Sequence, residues 1–328
     1  MVWSEPVTEL VSLQAVAPQA HTRHAMCGHV VHSAFPMPDL PTCEAIDGPL
    51  GRVDVRLGQT PSHLTAGVQI ESGVEVSERE VLISVREGGR ILIRDGREII
   101  VDVQAGAARN LLPFVLGSGL GGVCLQKGLL TLHASAVDRG GQAIAFAGPS
   151  GAGKSTMAAA MVDLGYSHFS DDLSVIRLPA NGRAELYPGV PLVKLWPDSA
   201  SAVGLDAGDA KPELSWHAKL MFDMKAGAKP LSTGLAGVYF LEREERADIV
   251  IEPLVGPFAM AALAGEIYRR SWLAPMGRLE GALRQVALLS RQTPCFRIRR
   301  PHHFDQLAEV ARMAADHHAS LTASQVGV

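Results

Sequence analysis

The sequence predicts an α/β core preceded by a small β-rich (α+β) domain. Three observations carry that prediction. First, a short apolar run, "QAIAFAG", passes through a glycine-rich loop straight into a helix start, "STMAAAMV", and a further strand, "FSDDLSVIRL", follows at once. Strand, helix and strand around one loop make an α/β unit. Second, "RVDVRL" and "VLISVREGGRILIRDGREIIVDV" alternate apolar and polar residues and break at Gly88-Gly89 and Asp95-Gly96, pairs that suit tight hairpin turns. Third, strand and helix patterns mix to the end of the chain rather than separating by type.

The elements fall in order. Residues 1–50 are rich in Pro, Ala and His, show no sustained period, and read as an irregular N-terminal segment. Residues 51–127 hold the antiparallel meander and close on a helical stretch from about Ala107 to Gln126, despite its glycines. Residues 128–316 form the α/β domain, opening with two strands turned at Gly140-Gly141. The glycine loop follows, then a helix closed by Gly165. "GLAGVYFLERE", "ADIVIEPL" and "PCFRIRR" read as later strands; "PFAMAALAGEIYRR", "GRLEGALRQVALLSRQ" and "HFDQLAEVARMAADHH" read as helices. Residues 317–328 read as a flexible tail.

Composition narrows the function classes. The 328 residues are 47% hydrophobic and 20% charged, with a formal net charge of −4. That is globular composition, and its mildly acidic balance gives no footing for nucleic acid. Cys27, Cys43, Cys124 and Cys295 lie far apart with no CxxC pair and read as free thiols of a reducing compartment. "MVWSEPVTELVSL" lacks the basic-then-apolar pattern of a leader, and the most apolar run is broken by Pro113 and four glycines. The expectation is therefore a cytoplasmic protein without a membrane span.

Gly148 to Ser155 spell G-x-x-x-x-G-K-[ST]. The chemistry explains the spelling. Backbone N–H groups must converge on phosphate oxygens at a helix N-terminus, which needs positive φ and no Cβ in the way. Gly148, Pro149, Ser150, Gly151, Ala152 and Gly153 would form that cradle, and Lys154 would reach the β- and γ-phosphates. The Ser155 hydroxyl would ligate Mg²⁺, with Thr156 adding a hydrogen bond. A chance glycine turn would not bring the lysine, the hydroxyl and the strand–loop–helix setting together.

Only one helix separates Lys154 from Asp171 and Asp172. Adjacent carboxylates at a strand start face opposite sides, so they divide two tasks. One faces the metal and the other an acceptor hydroxyl as general base, as phosphoryl transfer to an alcohol requires. The plainer alternative is an acidic turn pair capping a loop.

"LHASAV", "GPSGAGKST" and "GYSHFSDDLSVI", with "PGVPLVKLWPDS" further on, resemble the C-terminal catalytic domain of HPr kinase/phosphorylase and, more closely, its HPr-kinase-like relatives. The resemblance spans roughly Gly128 to Asp223 and thins towards Ala314. It implies a P-loop kinase core of the HPr-kinase type that uses ATP and Mg²⁺. Lys154 and Ser155 would hold the triphosphate and its metal, Asp171 would be the base, and Asp172 would lie near the Mg²⁺. His133 would line the acceptor side. Lys219 would sit on a mobile loop, where a cation stabilises charge on the transferring group. Where the HPr enzymes carry R-G-x-G-I, this chain reads "LYPGVPLVK", which argues against phosphorylase activity and against HPr as acceptor. Relatives of this type in lasso-peptide pathways phosphorylate a serine of a precursor peptide. The function implied is thus an ATP- and Mg²⁺-dependent serine kinase acting on a protein or peptide.

Two other functions remain open at this point. One is a small-molecule kinase, whose loop is spelled alike but is usually followed by an arginine-rich lid. The other is an ATP-binding sensor without transfer, against which the aspartate pair argues. His21, His24, Cys27, His29, His32 and Cys43 crowd one stretch, but their spacings fit no closed zinc pattern. Arg269, Arg270, Arg297, Arg299 and Arg300 include candidates for a phosphate contact that spacing alone does not separate. An exposed edge of the meander could dock an extended peptide. Homo-oligomerisation is left open.

Overall fold

The computed structural model describes residues 21–326 apart from 39, 105–106, 181, 212–218, 225–229, 246–247 and 302. The first twenty residues of the expected irregular segment, and the last two of the expected tail, lie outside that range.

Eight strands form the first sheet: β1 (Thr22–Met26), β2 (His29–Ser33), β3 (Arg52–Leu57), β4 (Val68–Glu71), β5 (Val74–Val76), β6 (Glu80–Val85), β7 (Gly89–Arg94) and β8 (Glu98–Val103). Their order is β1-β2-β3-β8-β7-β6-β5-β4. Here the structure corrects the sequence reading, because part of the supposedly irregular segment is the hairpin β1–β2. Cys27 and Gly28 turn it with φ of 54° and 75°, and His24 and His29 are buried within it. In the meander, Val81, Ile83, Ile91, Ile93, Ile99 and Val101 face the main core. Leu82, Leu92 and Ile100 pack under Leu64 on the opposite face.

The chain then forms α1 (Ala108–Phe114), a π-helical turn over Val115–Gly119, and α2 (Leu120–Gln126). Pro113 lies inside α1, where it removes a donor and crowds the preceding turn, and the π turn follows directly. The glycines have packing reasons. A Cβ on Gly121 would lie 2.4 Å from the Tyr268 ring, and one on Gly122 would lie 2.6 Å from Ile93. Ala108–Gln126 is long and apolar enough to cross a membrane, yet most of it is buried inside the fold. Its residues join one core holding both Val53 of the first sheet and Val175 of the second. The two sheets thus contribute to a shared core.

The second sheet has nine strands. Before the glycine loop come β9 (Leu130–Leu132), β10 (Ser135–Arg139) and β11 (Gln142–Ala147); after it come α3 (Lys154–Val162) and β12 (Ser167–Ser170). β13 (Ser174–Arg177), β14 (Glu185–Tyr187) and β15 (Leu192–Leu195) lead through α4 (Pro197–Ala202) to β16 (Leu220–Asp223), which pairs with β15 alone as a small ribbon. The long β17 (Thr233–Arg243), β18 (Val250–Leu254), α5 (Gly256–Gly265), α6 (Leu279–Gln292), β19 (Cys295–Arg300) and α7 (Leu307–Val326) complete the chain.

β11, β17 and β19 run parallel and side by side. β12 returns parallel to β11 with β10 between them, antiparallel to both. Gly140 and Gly141, both at positive φ, turn β10 into β11 where their sequence predicts. The expected tail is also corrected, because α7 continues through residue 326. The hydroxyls of Tyr239 and Tyr166 share hydrogen bonds with Nδ1 of His317 and His318, each at 2.8 Å, and these bonds anchor it.

Candidate functional site

The glycine loop links the carboxyl end of β11 to the amino end of α3. Gly148, Gly151 and Gly153 have φ of 135°, 82° and 95°, a region that side-chain-bearing residues adopt at a cost. A Cβ on Gly148 would also approach the Leu241 carbonyl oxygen to 2.9 Å. Pro149 and Ser150 are exposed on the loop, whereas Ala152 and Thr156 are buried beneath it. Lys154 is almost wholly buried and folds its ammonium back to donate to the carbonyls of Gly148 (2.7 Å) and Pro149 (3.3 Å). Burial lowers its pKa, while Glu266, Asp172 and Asp171 oppose that shift.

Asp171 and Asp172 form the bend between β12 and β13. The Leu173 N–H donates to the Asp171 carbonyl at 2.7 Å, and Asp172 has φ of 60°. This is a three-residue turn of the rarer, strained hand. The two carboxylates face different ways because of that turn, not because of strand alternation as the sequence suggested.

The Asp171 carboxylate accepts three hydrogen bonds. Oδ1 accepts from Ser135 Oγ (2.6 Å) and Ser155 Oγ (2.8 Å), and Oδ2 accepts from the backbone N–H of Lys194 (3.1 Å). Burial, then the neighbouring Asp172, push its pKa up against these donors.

Asp172 turns the other way. Lys194 Nζ donates to its Oδ2 at 3.2 Å, and His133 Nδ1 donates to its backbone carbonyl at 3.1 Å. Burial works against the Asp172 charge, but Lys194 and His133 together outweigh it, so its pKa lies below the usual carboxylate range. Lys194 has the mirror-image balance. Burial disfavours its charge, and Asp172 and Asp171 more than restore it.

Beyond Asp172 opens a cleft of about 470 Å³ whose walls include His133, Asp172, Lys194, Glu266, Tyr268 and Arg269. The π turn supplies one side of it through Gly117 and Ser118. Arg269, at φ 47°, donates to Ser118 Oγ and to Glu71 Oε1, both at 2.9 Å. A residue of β4, the last strand of the first sheet, therefore holds the rim.

Of the residues singled out from sequence, Lys154, Ser155, Asp171, Asp172 and His133 converge. The Lys219 ammonium lies 5.4 Å from the centre of the Trp196 ring, and its charge reaches Lys154 and the Asp172 carboxylate. The segment expected to carry it as a mobile loop, residues 212–218, lies outside the described residues. The histidines near the N-terminus go to separate places: His24 contacts the Pro41 carbonyl and His32 that of Ile46.

Sequence reasoning missed Ser135, Lys194, Glu266 and Tyr268. Ser135 and Lys194 lay inside quoted motifs, "LHASAV" and "PGVPLVKLWPDS". Glu266 and Tyr268 come from a distant segment with no spacing to reveal them.

The donor set fits Mg²⁺. A hydroxyl and a carboxylate, both hard oxygens, stand together at the helix start, as suits an ion that takes its remaining ligands from phosphates and water. Of the two aspartates, it is Asp171 whose carboxylate meets the Ser155 hydroxyl.

Fold and site together define a mixed α/β protein whose glycine loop faces an acidic bend and a polar cleft. No family model and no curated protein matches the chain. Among solved structures, the HPr(Ser) kinase/phosphatase from Coxiella burnetii is similar over 60% of this chain and 94% of that one, at 11% identity and a TM-score of 0.33. So low a likeness leaves the site's own geometry to carry the functional reading.

Proposed function

We propose that this protein is an ATP- and Mg²⁺-dependent phosphotransferase that phosphorylates a hydroxyl, with a serine of a peptide or protein as the favoured acceptor. The observation that carries the reading is the contact of Ser155 Oγ with Asp171 Oδ1 at 2.8 Å. It joins the helix end of the glycine loop to the acidic bend, and Asp172, the next residue, opens on the cleft.

In this reading the loop N–H groups and Lys154 bind the triphosphate. Bound Mg²⁺ would neutralise charge on the β- and γ-phosphates, and Ser155 and Asp171 are the residues that would hold it. The roles of the two aspartates are thus exchanged relative to the sequence expectation. The Asp171 carboxylate faces Ser135, Ser155 and the Lys194 N–H, whereas Asp172 lines the cleft as an ionised carboxylate. An acceptor hydroxyl seated there would pass its proton to Asp172 as it attacks the γ-phosphorus and the β–γ bridging bond breaks. His133 and Lys194 hold Asp172 in place, and Lys219 adds positive charge nearby.

The favoured acceptor follows from the rim. β4 ends the first sheet, is largely exposed, and carries the Glu71 that binds Arg269 at the cleft. An extended chain added to that edge would lead towards Asp172. The cleft volume also suits small alcohols, which keeps a small-molecule kinase as the second reading.

Incubation with γ-labelled ATP, Mg²⁺ and either a serine-containing peptide library or a panel of small alcohols decides between them. Label should enter peptides, and Asp172→Asn should abolish the transfer. Transfer to alcohols alone would favour the second reading, and tight ATP binding without transfer to anything would favour a nucleotide sensor.

A further inference from the structure

Three parallel strands end side by side at the glycine loop. β11 runs into it, and β17 and β19 end in Arg243 and Arg300, which are directly paired in register. Ligands of such sheets bind beyond the carboxyl ends of the strands, so both residues sit at the end of the sheet that would face a nucleotide, with the Arg300 side chain packed under the loop. Arg300 is the unusual one. It is only 5% exposed, and a buried charge is costly unless something compensates it. Nη2 donates to the Ala152 carbonyl at 2.8 Å and Nη1 to that of Pro301 at 3.3 Å, while Nε has no partner. Burial, then Arg243, bring its pKa down to about 10.

The bond to Ala152 has a geometric consequence. The Ala152–Gly153 peptide is trans, as are the chain's other described peptide bonds, so its C=O and N–H point in opposite directions. With the carbonyl fixed on Arg300, the Gly153 N–H must point away from it. Gly153 cannot carry a side chain without disturbing this arrangement, because its Cβ would lie 2.6 Å from Arg300 Nη2.

We propose that Arg300 is a positioning residue for nucleotide binding: it locks the Ala152–Gly153 peptide plane so that the Gly153 N–H faces the mouth of the loop, ready to donate to a phosphate oxygen. This rests on the nucleotide reading above and goes beyond it. The side chain does its work from beneath the loop, through the backbone, and Arg243 beside it adds to the local positive charge. A bound polyphosphate would in turn offset the unfavourable pairing of two cations. The acidic residues at the bend and the cleft take no part in this contact.

The test is nucleotide affinity, measured by titration calorimetry, for wild type, Arg300→Gln and Arg300→Lys with Mg-ATP, Mg-tripolyphosphate and adenosine, alongside thermal melting. One misdirected donor to an anion corresponds to about a 10- to 100-fold loss. Arg300→Gln should therefore weaken Mg-ATP and Mg-tripolyphosphate binding by the same factor and leave adenosine binding unchanged. Arg300→Lys keeps one donor for the Ala152 carbonyl and should recover part of the loss at an unchanged melting temperature. If Arg300→Gln fails to fold, Arg300→Lys decides, and wild-type affinity for tripolyphosphate in that variant would overturn the inference. So would a folded Arg300→Gln that binds Mg-ATP like wild type, or one that loses adenosine to the same degree. Wild-type protein that binds none of the phosphate ligands would instead overturn the nucleotide reading itself.

Discussion

Exchanging Asp171 for asparagine tests the site with almost no change in volume. The carboxylate accepts from Ser135 Oγ, Ser155 Oγ and the Lys194 N–H. An amide fits if its oxygen takes the Lys194 N–H and its NH₂ faces the two hydroxyls, which can rotate to accept. Three charge-assisted bonds become neutral ones, a loss of about 1 kcal/mol each. Relief of an unfavourable charge opposes that loss, because burial and Asp172 raise the Asp171 pKa.

The sign follows from that direction. A carboxyl raised above its unfolded value weakens the fold when ionised, and this cost disappears as pH falls through the folded pKa towards the ordinary carboxylate value. The variant carries no such cost at any pH. Its melting temperature relative to wild type should therefore be most favourable in mild alkali and least favourable in acid, with net stability within about 2 kcal/mol of wild type. Phosphoryl transfer should meanwhile fall by about 100-fold or more, the scale for losing a group that holds a catalytic ion. Thermal melts across pH, with a labelled-phosphate transfer assay, read both outcomes. A variant with wild-type transfer, or one destabilised by more than about 4 kcal/mol in mild alkali, would refute this account of Asp171.

Further outcomes follow from the same geometry. Lys154→Ala should weaken Mg-ATP binding by about 10- to 100-fold, measured by calorimetry, with the melting temperature little altered. Lys194→Met removes the first counter-charge of Asp172, whose pKa is held below the usual range. Stability from that lowered carboxyl is present above its ordinary pKa and lost as pH falls through the folded value, so the variant's acid limb, in both activity and melting, should move to higher pH. Gly121→Ala puts a methyl 2.4 Å from the Tyr268 ring; denaturant unfolding should show a loss of about 1–3 kcal/mol, and the acceptor KM should rise while nucleotide affinity holds.

Much of this was legible in the sequence, and the gaps have physical causes. The glycine loop announces itself because its backbone demands fixed residue types at fixed offsets, and the meander because its turns do. The hairpin β1–β2 was hidden by histidines, which read as polar although His24 and His29 are buried. Its turn, Cys27-Gly28, was the available signal, a residue–glycine pair at positive φ. The end of α7 looked polar and frayed, yet His317 and His318 each find a tyrosine. The roles of Lys194, although it stood in "PGVPLVKLWPDS", and of Glu266 escaped the sequence for a different reason. Their partners lie in other elements, and only the fold brings a lysine from β15 and a glutamate after α5 to the acidic bend.

The apolar helix pressed between the two sheets makes the front of the molecule inseparable from its back. A truncation at residue 106 would leave Leu111, Val115, Leu120 and Val123, all buried now, facing water without their lid. Any chimaera that exchanges the front sheet would have to carry Ala108–Gln126 along with it and match the seam at Tyr268. The half that bears the glycine loop would lose its buried partners if separated, and the two halves should melt as one.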